Sequence, residues 1–339
     1  MNNKFVKSFM PVATLVLVIL LLSRNNGVEE KVIKRTRVLM DTVVEITLFN
    51  EGDAGKNNEA VSAAFDEIKR LENLLGRHQE GSDIRQANTR PGKGIKVSPE
   101  TLEVMNSALR FSKISGGAFD ITVGKLSELW NFEEGRKTPP HEDEIKSALQ
   151  GSGASSVTLD LSSATVKTSN KVHLDLGGIA KGYIIDKAAK ILLAKGIEDF
   201  IINAGGDMVI RGKKKGKQWR IGIQHPRKKG EVIAHIDVEE NESAIVTSGD
   251  YERFFTHKGK RYHHILSPKT GYPADELMSV TIKAEDAVTA DALSTAIFVL
   301  GPTEGLKLIE SLQGVEGMLI DKDRNIVVSK GLAGKVKVR

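Results

Sequence analysis

The stretch that decides the fold is LDLGGIAKGY, residues 174–183. Its first residues predict a short strand, its paired glycines predict a turn, and residues 183–195, closed by Gly196, predict an amphipathic helix. A strand that ends in a glycine turn before a helix offers free backbone N–H groups to a phosphate, and Lys181 adds a positive charge there. A tight connection with an exposed lysine explains the same residues about equally well. Asp175, placed between two leucines, slightly favours a functional role because a buried carboxylate is costly without a partner.

Outward from this stretch, strands and helices alternate irregularly. Helices are predicted at 61–75, from Ser98-Pro99 to about 111, and at 142–149, 183–195, 289–299 and 302–313. Strands are predicted at 42–48, 157–166, 171–176, 199–203, 207–211, 218–224, 232–238 and 279–284. This irregular order favours an α+β fold over a doubly wound parallel sheet.

Composition excludes several classes of protein and site. Of the 339 residues 40% are hydrophobic and 27% are charged, which is typical of a soluble globular chain. The chain has no cysteine, so thiolate metal sites, cysteine nucleophiles and disulfides are excluded. The net charge of +5 is too weak to indicate nucleic-acid binding. The densest basic run, residues 213–217, is better explained as a solvated hairpin tip than as a polyanion site.

The N-terminus has the features of an export signal. Lys4 and Lys7 precede an apolar stretch, 9–22, that is shorter than the ~20 residues of a full membrane span. Residues 1–23 are therefore predicted to be a signal or membrane anchor. An uncleaved anchor is favoured over a cleaved signal, and a first helix of the fold is the third alternative. Residues 24–36 are predicted to form a juxtamembrane linker, and 37–339 the domain, outside the cytoplasm.

The segment TADALSTA, residues 289–296, places Asp291 and Thr295 one turn apart on the same face of a helix. One carboxylate and one hydroxyl form a hard oxygen pair that suits Mg²⁺. The alternative is a surface or capping aspartate beside a threonine that bonds back to its own helix. Spacing alone favours that alternative.

Two further segments carry candidate site residues. In GGAFDITVG, residues 116–124, paired glycines let backbone approach a planar ligand and Phe119 can stack on it, although a buried loop explains the segment better when it is taken alone. His263 and His264 are adjacent, and neighbours on a strand would point to opposite faces, so both rarely bind one ion. One of them is an acid–base candidate, and a structural histidine is an equal alternative.

Taken together, six segments resemble the ApbE family, the FAD:protein FMN transferases. They occur in the family's order between residue 37 and about 325: GGAFDITVG (116–124), LDLGGIAKGY (174–183), INAGGD (202–207), TSGDYER (247–253), HILSPKTGYP (264–273) and TADALSTA (289–296). The resemblance implies a single catalytic unit, a mixed sheet with helices packed on it, on the outer side of the membrane. It also implies a reaction in which the FMN part of FAD moves, with Mg²⁺, to a threonine or serine hydroxyl of a target flavoprotein, and AMP leaves.

The resemblance also assigns residues. It implies that Asp291, Thr295 and the carbonyl of Gly178 bind Mg²⁺. It also implies that His264 is the base or phosphate contact, and that His264 and Asp291 are the catalytic residues. The positions that it implies for FAD binding are Met40, His78, Ala118, Phe119, Asp120, Asp175, Lys181, His264 and Ile265.

Two departures and two alternative functions remain. His78 stands where relatives often have tyrosine. The chain has no cysteine for lipid attachment, so its attachment to the membrane is expected to be a peptide anchor or to be absent. A Mg²⁺-dependent FAD pyrophosphatase would use the same site with water in place of the protein hydroxyl. A non-catalytic flavin-binding protein would need the pocket but not the metal.

Overall fold

The computed structural model describes residues 32–49, 53–132, 135–214, 216–239 and 241–338. The predicted signal or anchor, residues 1–23, lies outside the described residues. The first strand begins at Val32. The predicted linker at 24–36 is therefore wrong at its C-terminal end, because residues 32–36 belong to a strand and the fold starts before Arg37.

The described part of the chain contains sixteen strands and seven α-helices. The helices are α1 (Ala54–Leu75), α2 (Asp83–Thr89), α3 (Pro99–Ile114), α4 (Gly124–Trp130), α5 (Glu142–Leu149), α6 (Ala180–Ala194) and α7 (Ala287–Ser311). The strands are β1 (Val32–Leu39), β2 (Thr42–Phe49), β3 (Gly94–Lys96), β4 (Val157–Asp160), β5 (Thr165–Thr168), β6 (Phe200–Ala204), β7 (Asp207–Arg211), β8 (Trp219–Gln224), β9 (Val232–Val238), β10 (Glu242–Gly249), β11 (Phe254–His257), β12 (Lys260–His263), β13 (Leu277–Ala284), β14 (Glu316–Asp321), β15 (Ile326–Val328) and β16 (Val336–Val338).

The main sheet has eight strands in the order β1-β2-β6-β7-β10-β13-β14-β15. Every pair of neighbours in it runs antiparallel, rather than in mixed directions. Smaller sheets join β16-β9-β8, β3-β5-β4 and the hairpin β11-β12. The predicted α+β class is confirmed.

The main sheet is covered on both faces. In β7 the side chain of Val209 belongs to the core that the sheet forms with the helices, whereas Met208 and Ile210 belong to a second core. That second core lies between the main sheet and the small sheet β16-β9-β8, and it contains Trp219. Because neighbouring residues of a strand point to opposite faces, a strand buried on both faces reads as a continuous apolar run rather than as an alternating one.

Helices α1, α6 and α7 form the layer on the first face, and α7 also contacts β10 and β13. Within α7, Gly301 has a φ of 79° and Pro302 follows it, so the helix consists of two segments, as the sequence predicted. Among the described helices, α7 alone is long and apolar enough to cross a membrane, but half of that stretch is buried inside the protein. The apolar character of α7 is thus explained by its place in the core.

Two predicted strands differ from the structure for local reasons. Residues 157–166 form two strands, because Oδ1 of Asp160 accepts the N–H groups of Ser162 and Ser163 and turns the chain. Residues 171–176 form no strand and make only one isolated bridge, from His173 to Val123. The Asn88 side chain instead bonds both the N–H (2.7 Å) and the C=O (2.9 Å) of Leu174, so an amide group takes the place of a neighbouring strand.

Candidate functional site

A glycine bend connects residue 176 to the start of α6. Helix α6 begins at Ala180, and its N-cap residue, Ile179, has no side-chain oxygen to cap the first turn. Within that turn the N–H groups of Ala180 and Gly182 are bonded instead to the Leu176 carbonyl and to the Asp291 side chain. The N-terminal end of a helix carries a partial positive charge that attracts anions. Lys181 lies in this first turn and adds a positive charge. The bend therefore has the geometry that favours an anion, although the residues before it are not a strand.

Asp291 and Thr295 of α7 lie directly against this bend. The N–H of Gly182 donates to Oδ2 of Asp291 at 2.9 Å. A side-chain carbon added to Gly178 would lie only 3.0 Å from Oγ1 of Thr295, so Gly178 and Thr295 are in contact. The hydroxyl that bonds back to the Asp291 carbonyl belongs to Ser294, at 2.9 Å. The structure thus brings both predicted metal-binding side chains to the predicted bend.

The charged side chains at the junction, where the bend before α6 meets α7, interact strongly with one another. Asp291 is 5% exposed and Asp207 is 2% exposed, and Lys181 forms an ion pair with Asp207. Burial, followed by the negative charge of Asp207, raises the pKa of Asp291. Burial alone would lower the pKa of Lys181, but the carboxylates of Asp207 and Asp291 raise it. Two buried carboxylates share one lysine, so the junction favours a further cation.

The two histidines have different environments. His263 is a structural residue: its Nε2 pairs with the Ala274 carbonyl at 2.6 Å and its ring packs edge-on against Phe298. His264 is partly buried, and its Nδ1 is buried without a hydrogen-bond partner. Burial and the positive charge of Arg253 lower the pKa of His264 to about 3, so its ring is neutral at physiological pH. Of the two, His264 is therefore the one with an unused ring nitrogen.

Asp175 forms an ion pair within the protein. Its Oδ2 lies 3.3 Å from Nη1 of Arg77, and its Oδ1 accepts the N–H of Gly177 at 2.9 Å. Burial alone would raise the pKa of Asp175, but the positive charge of Arg77 holds it below its usual range. The Asp175 carboxylate is therefore ionised, and its bond to the Gly177 N–H stabilises the bend.

The loop at 116–121 contacts the same junction through the ring of Phe119. Cε2 of Phe119 lies 3.1 Å from the position of a side-chain carbon on Gly178. Phe119 is 3% exposed and Ala118 is 8% exposed. The carboxylate of Asp120 accepts both the N–H (2.8 Å) and the hydroxyl (2.7 Å) of Thr122, so it caps its own loop. Contacts of Asp120 and Ala118 with a flavin nucleotide stay predictions.

Three predicted flavin-binding residues lie on other elements. Met40 is half-buried in the turn between β1 and β2, where Met40 and Asp41 both have positive φ, 53° and 56°. Positive φ at both residues of a two-residue hairpin loop is type I′ turn geometry, which is uncommon for a residue such as methionine. His78 is exposed on the turn between α1 and α2, and Ile265 is 5% exposed in the main core. Their roles at a flavin site also stay predictions.

Three charged residues of the junction had no role in the sequence interpretation: Asp207, Arg253 and Arg77. Asp207 follows the paired glycines 205–206 and starts β7. The charge of Arg253 acts on Asp175, Lys181 and His264 together, and its carbonyl accepts the His264 N–H at 3.1 Å. The segments that hold Asp207 and Arg253 are among the six family-like ones, so their positions were the available signal. Nothing in the spacing around Arg77 indicated a site.

The side chains present fit Mg²⁺. Within the described ranges, no three His, Asp or Glu side chains converge as a complete metal site. The available donors are instead the carboxylate of Asp291, the hydroxyl of Thr295 and backbone oxygens of the bend. Mg²⁺ commonly binds through one or two carboxylates and completes its ligands with waters and substrate phosphates. A buried carboxylate whose pKa is raised is also stabilised in its ionised form by such a cation.

Comparison with known proteins gives one consistent result. The sequence model of the ApbE family matches residues 40–319. The chain is 32% identical to the FAD:protein FMN transferase of Treponema pallidum, over 90% of this chain and 88% of that protein, and 30% identical to that of Haemophilus influenzae, over 91% and 92%. The crystal structure of the ApbE protein from Thermotoga maritima has a TM-score of 0.83 at 36% identity, and covers 90% of this chain and 99% of the other. The flavin transferase ApbE from Vibrio cholerae has a TM-score of 0.78 at 26% identity, with the same coverage.

Proposed function

The chain belongs to the ApbE family, and from this membership we propose that it is a FAD:protein FMN transferase. It would move the FMN part of FAD to a threonine or serine hydroxyl of a target flavoprotein, and AMP would leave. The observation that best supports this proposal is the junction of α6 and α7. The start of α6, Lys181 and the oxygens of Asp291 and Thr295 meet there, and this combination suits a diphosphate with its counter-ion.

The metal-binding residues follow from the same junction. Asp291, Thr295 and the carbonyl of Gly178 would hold Mg²⁺. When bound, Mg²⁺ supplies charge neutralisation for the diphosphate. Lys181, held beside Asp207 and Asp291, supplies a second positive charge at the same place. Positioning and charge neutralisation provide most of the catalysis in phosphoryl transfer, and these residues provide both.

The transfer itself needs one bond to form and one to break. The acceptor hydroxyl oxygen bonds to the FMN-side phosphorus, and the bond from that phosphorus to the bridging oxygen breaks, so AMP leaves with that oxygen. The hydroxyl proton must go to a base. His264 is our candidate because its ring is neutral and its Nδ1 has no protein partner. A bound diphosphate would bring negative charge that raises the pKa of His264 towards the range of a useful base.

The remaining predicted residues would form the flavin side of the site. Phe119 is already in contact with the bend and would pack against the nucleotide there. Asp175 would hold the bend in place through its bond to the Gly177 N–H. The other residues assigned to this surface are Met40, His78, Ala118, Asp120 and Ile265.

A transfer assay tests the proposal. The full chain is incubated with FAD, Mg²⁺ and a flavin-free flavoprotein whose FMN is normally phosphoester-linked, and the intact mass of the acceptor is measured. We expect a gain of one FMN moiety that requires Mg²⁺. The matched control is the same acceptor with its modified threonine replaced by valine, which should gain nothing.

The two alternatives give different results in this assay. Free FMN and AMP without any acceptor mass gain would indicate a FAD pyrophosphatase. Tight FAD binding with neither product, for several acceptors, would indicate a non-catalytic flavin-binding protein. Either result would contradict the proposed transfer.

We also propose that the protein acts outside the cytoplasm and is held at the membrane by residues 1–23. The support is the basic flank followed by an apolar stretch in the sequence. Fractionation of cells that express the full chain should find it in the membrane fraction. A protease added to cells whose cytoplasmic membrane is intact, but whose outer envelope has been made permeable, should digest it. Recovery in the cytoplasmic fraction would contradict this location.

A further inference from the structure

Three contacts between α6 and α7 share one antiparallel register. Asp186 contacts Ala287, Gly182 contacts Asp291, and Gly178, in the bend before α6, contacts Thr295. Each step moves four residues back along the α6 side and four residues forward along α7. Four residues are about 6 Å of helix, so the three contacts form a regular ladder along one face of each helix. The last two contacts belong to the proposed metal site, but the first does not.

The first contact is made by a buried carboxylate that the proposed reaction does not use. Asp186 is 9% exposed, and its Oδ1 accepts the N–H of Ala287 at 3.0 Å while its Oδ2 accepts that of Val288 at 2.8 Å. Burial raises the pKa of Asp186 to about 6, although both N–H bonds act against this rise. Burial of the Asp186 carboxylate therefore has a desolvation cost, and what it provides in return is two hydrogen bonds to the neighbouring helix.

These two bonds complete the start of α7. A helix leaves its first four N–H groups without partners inside the helix. The N-cap residue Asp286 satisfies the third through its side chain, to Thr289 at 2.7 Å, and the fourth through its carbonyl, to Ala290 at 3.2 Å. The first two, those of Ala287 and Val288, are satisfied from α6 by Asp186. The start of α7 is thus joined to the other helix as firmly as to its own N-cap.

The contact fixes how α7 is placed along and around its axis. A shift of one residue moves a helix by 1.5 Å and rotates its face by about 100°. Such a shift would break both bonds to Asp186 and leave its charge unpaired in the core, which is strongly unfavourable. The second contact tolerates little change either, because a side-chain carbon on Gly182 would lie 2.2 Å from the Ala287 carbonyl oxygen.

We propose that Asp186 is a positioning residue for the divalent-cation site: by holding the first turn of α7 against α6, it sets the register that brings Asp291 and Thr295 to the bend. This inference rests on the proposed function, since it assumes that the cation binds at Asp291. Asp186 itself lies one turn beyond Gly182 along α6, away from the bend, and its oxygens are bonded to α7, so its role would be to position the ligands and not to bind the cation.

The test compares two variants that each remove one negative charge near the start of α7. Asp186→Asn keeps one acceptor oxygen and replaces the other with an NH2 group that cannot accept, so one of the two bonds from α6 is lost. Asp286→Ala removes the N-cap side chain and leaves both bonds from α6 intact. Mn²⁺ serves as the probe for Mg²⁺, and its binding to the full chain is measured by electron paramagnetic resonance. Mutation of groups that bond directly to metal ligands usually weakens metal affinity 10–100-fold. Asp186 acts on the ligands only through the register of α7, so we expect Asp186→Asn to weaken Mn²⁺ binding about tenfold, the lower end of that range. Asp286→Ala should bind Mn²⁺ as the wild type does.

A second readout separates positioning from general damage. FAD binding without metal, followed by flavin fluorescence, should change less than twofold in Asp186→Asn. The Mg²⁺ concentration for half-maximal transfer should rise about tenfold, and saturating Mg²⁺ should restore most of the rate. Equal Mn²⁺ affinity in Asp186→Asn and wild type, or equal weakening in both variants, would overturn the proposal.

A third measurement needs no variant and therefore applies even if Asp186→Asn does not fold. If the first turn of α7 and the cation site are coupled, cation binding must also stabilise that turn, because coupling is reciprocal. Mn²⁺ should slow deuterium uptake in the segment 285–290 of the wild-type protein, and an unchanged uptake would contradict the proposal. Failure of wild-type protein to bind Mn²⁺, with or without FAD, would instead contradict the proposed metal site itself.

Discussion

At the scale of single residues, Asp291 shows how burial prepares a side chain for a cation. Its carboxylate is held by the N–H of Gly182 and lies near a second buried carboxylate, Asp207. Lys181 pairs with Asp207 and offsets only part of this negative charge. A carboxylate at an exposed position would bind Mg²⁺ weakly, because water would compete with the ion for the carboxylate and with the carboxylate for the ion.

Asp291→Asn should separate turnover from folding and from FAD binding. Loss of the metal's charge neutralisation is worth several kcal/mol, so we expect FMN transfer to fall by at least about a hundredfold. FAD should still bind measurably, and the melting temperature without divalent ions should not fall, because the change removes a buried charge beside Asp207. Transfer assays, fluorescence titration and thermal unfolding measure the three quantities. Normal turnover of Asp291→Asn would show that the metal assignment is wrong.

His264 should make the protein less stable in acid. Its pKa in the folded protein is about 3, below the ordinary value near 6.5, so the unfolded chain binds more protons between these limits. Stability from this group is therefore fully present above about pH 6.5 and is lost as the pH falls towards 3. The slope must be less than the ~1.4 kcal/mol per pH unit that one proton allows.

His264→Gln checks this directly. The free energy of unfolding in urea is measured at pH 7 and at pH 4.5, and the loss on acidification should be smaller in the variant than in the wild type. His263→Gln is not a suitable control, because its ring bonds the Ala274 carbonyl. An identical loss in His264→Gln and wild type would mean that His264 takes up its proton as easily as it does in water.

At the scale of elements, the α6–α7 pair shows why glycine is needed where two backbones meet. A side-chain carbon on Gly182 would lie 2.2 Å from the Ala287 carbonyl oxygen and 2.8 Å from Cβ of Asp291. Both neighbours are backbone or close to it, so neither can move aside without moving a helix. Gly177 differs, because it is exposed and its added carbon would meet only the Asp175 side chain, at 3.1 Å for the nearest atom.

Gly182→Ala should therefore cost far more stability than Gly177→Ala. Overpacking against backbone usually costs 1–3 kcal/mol, and we expect about 3 kcal/mol for Gly182→Ala and below about 1 kcal/mol for Gly177→Ala. Urea unfolding of both variants measures the difference. Similar costs for the two would mean that α6 and α7 can separate easily, and that their close packing does not hold the site.

Among the elements, helices were predicted from the sequence more reliably than strands. The bounds of α5 and the start of α3 at Pro99 agree with prediction because caps and periodicity are local. Strand β10 was missed, because it is buried in the middle of a sheet and shows no alternation, and so was the short edge strand β15. Residues 171–176 were wrongly predicted as a strand because their partner is the side chain of Asn88, which lies far away in sequence.

At the scale of the whole molecule, the eight-stranded sheet starts with β1 at its edge. Ile33 of β1 is 7% exposed in the main core, and Arg35 bonds the Asn58 side chain of α1 at 2.8 Å. The first residues of this strand therefore belong to the fold and not to the segment before it.

Two truncated proteins should show where the fold begins. Removal of residues 1–31 leaves the whole of β1 in place and gives the reference protein. Removal of residues 1–36 should cost about 2 kcal/mol, the value of one buried isoleucine with its strand pairing. Thermal or urea unfolding compares the two proteins. Equal stability would mean that β1 adds nothing to the sheet before Arg37.

The sequence by itself determined the α+β class and the ends of several helices, whereas the segments of the candidate site were identified through their resemblance to a family. The class and the helix ends depend on local preferences and on the spacing of side chains along one element, which the order of residues contains. The pairing of Lys181 with Asp207, the charge of Arg253 beside His264 and the contact of Asp186 with the start of α7 were decided only by the tertiary structure. Each joins groups that lie 26, 11 or 101 residues apart, and only the packing of the layers brings such groups within bonding or Coulombic range.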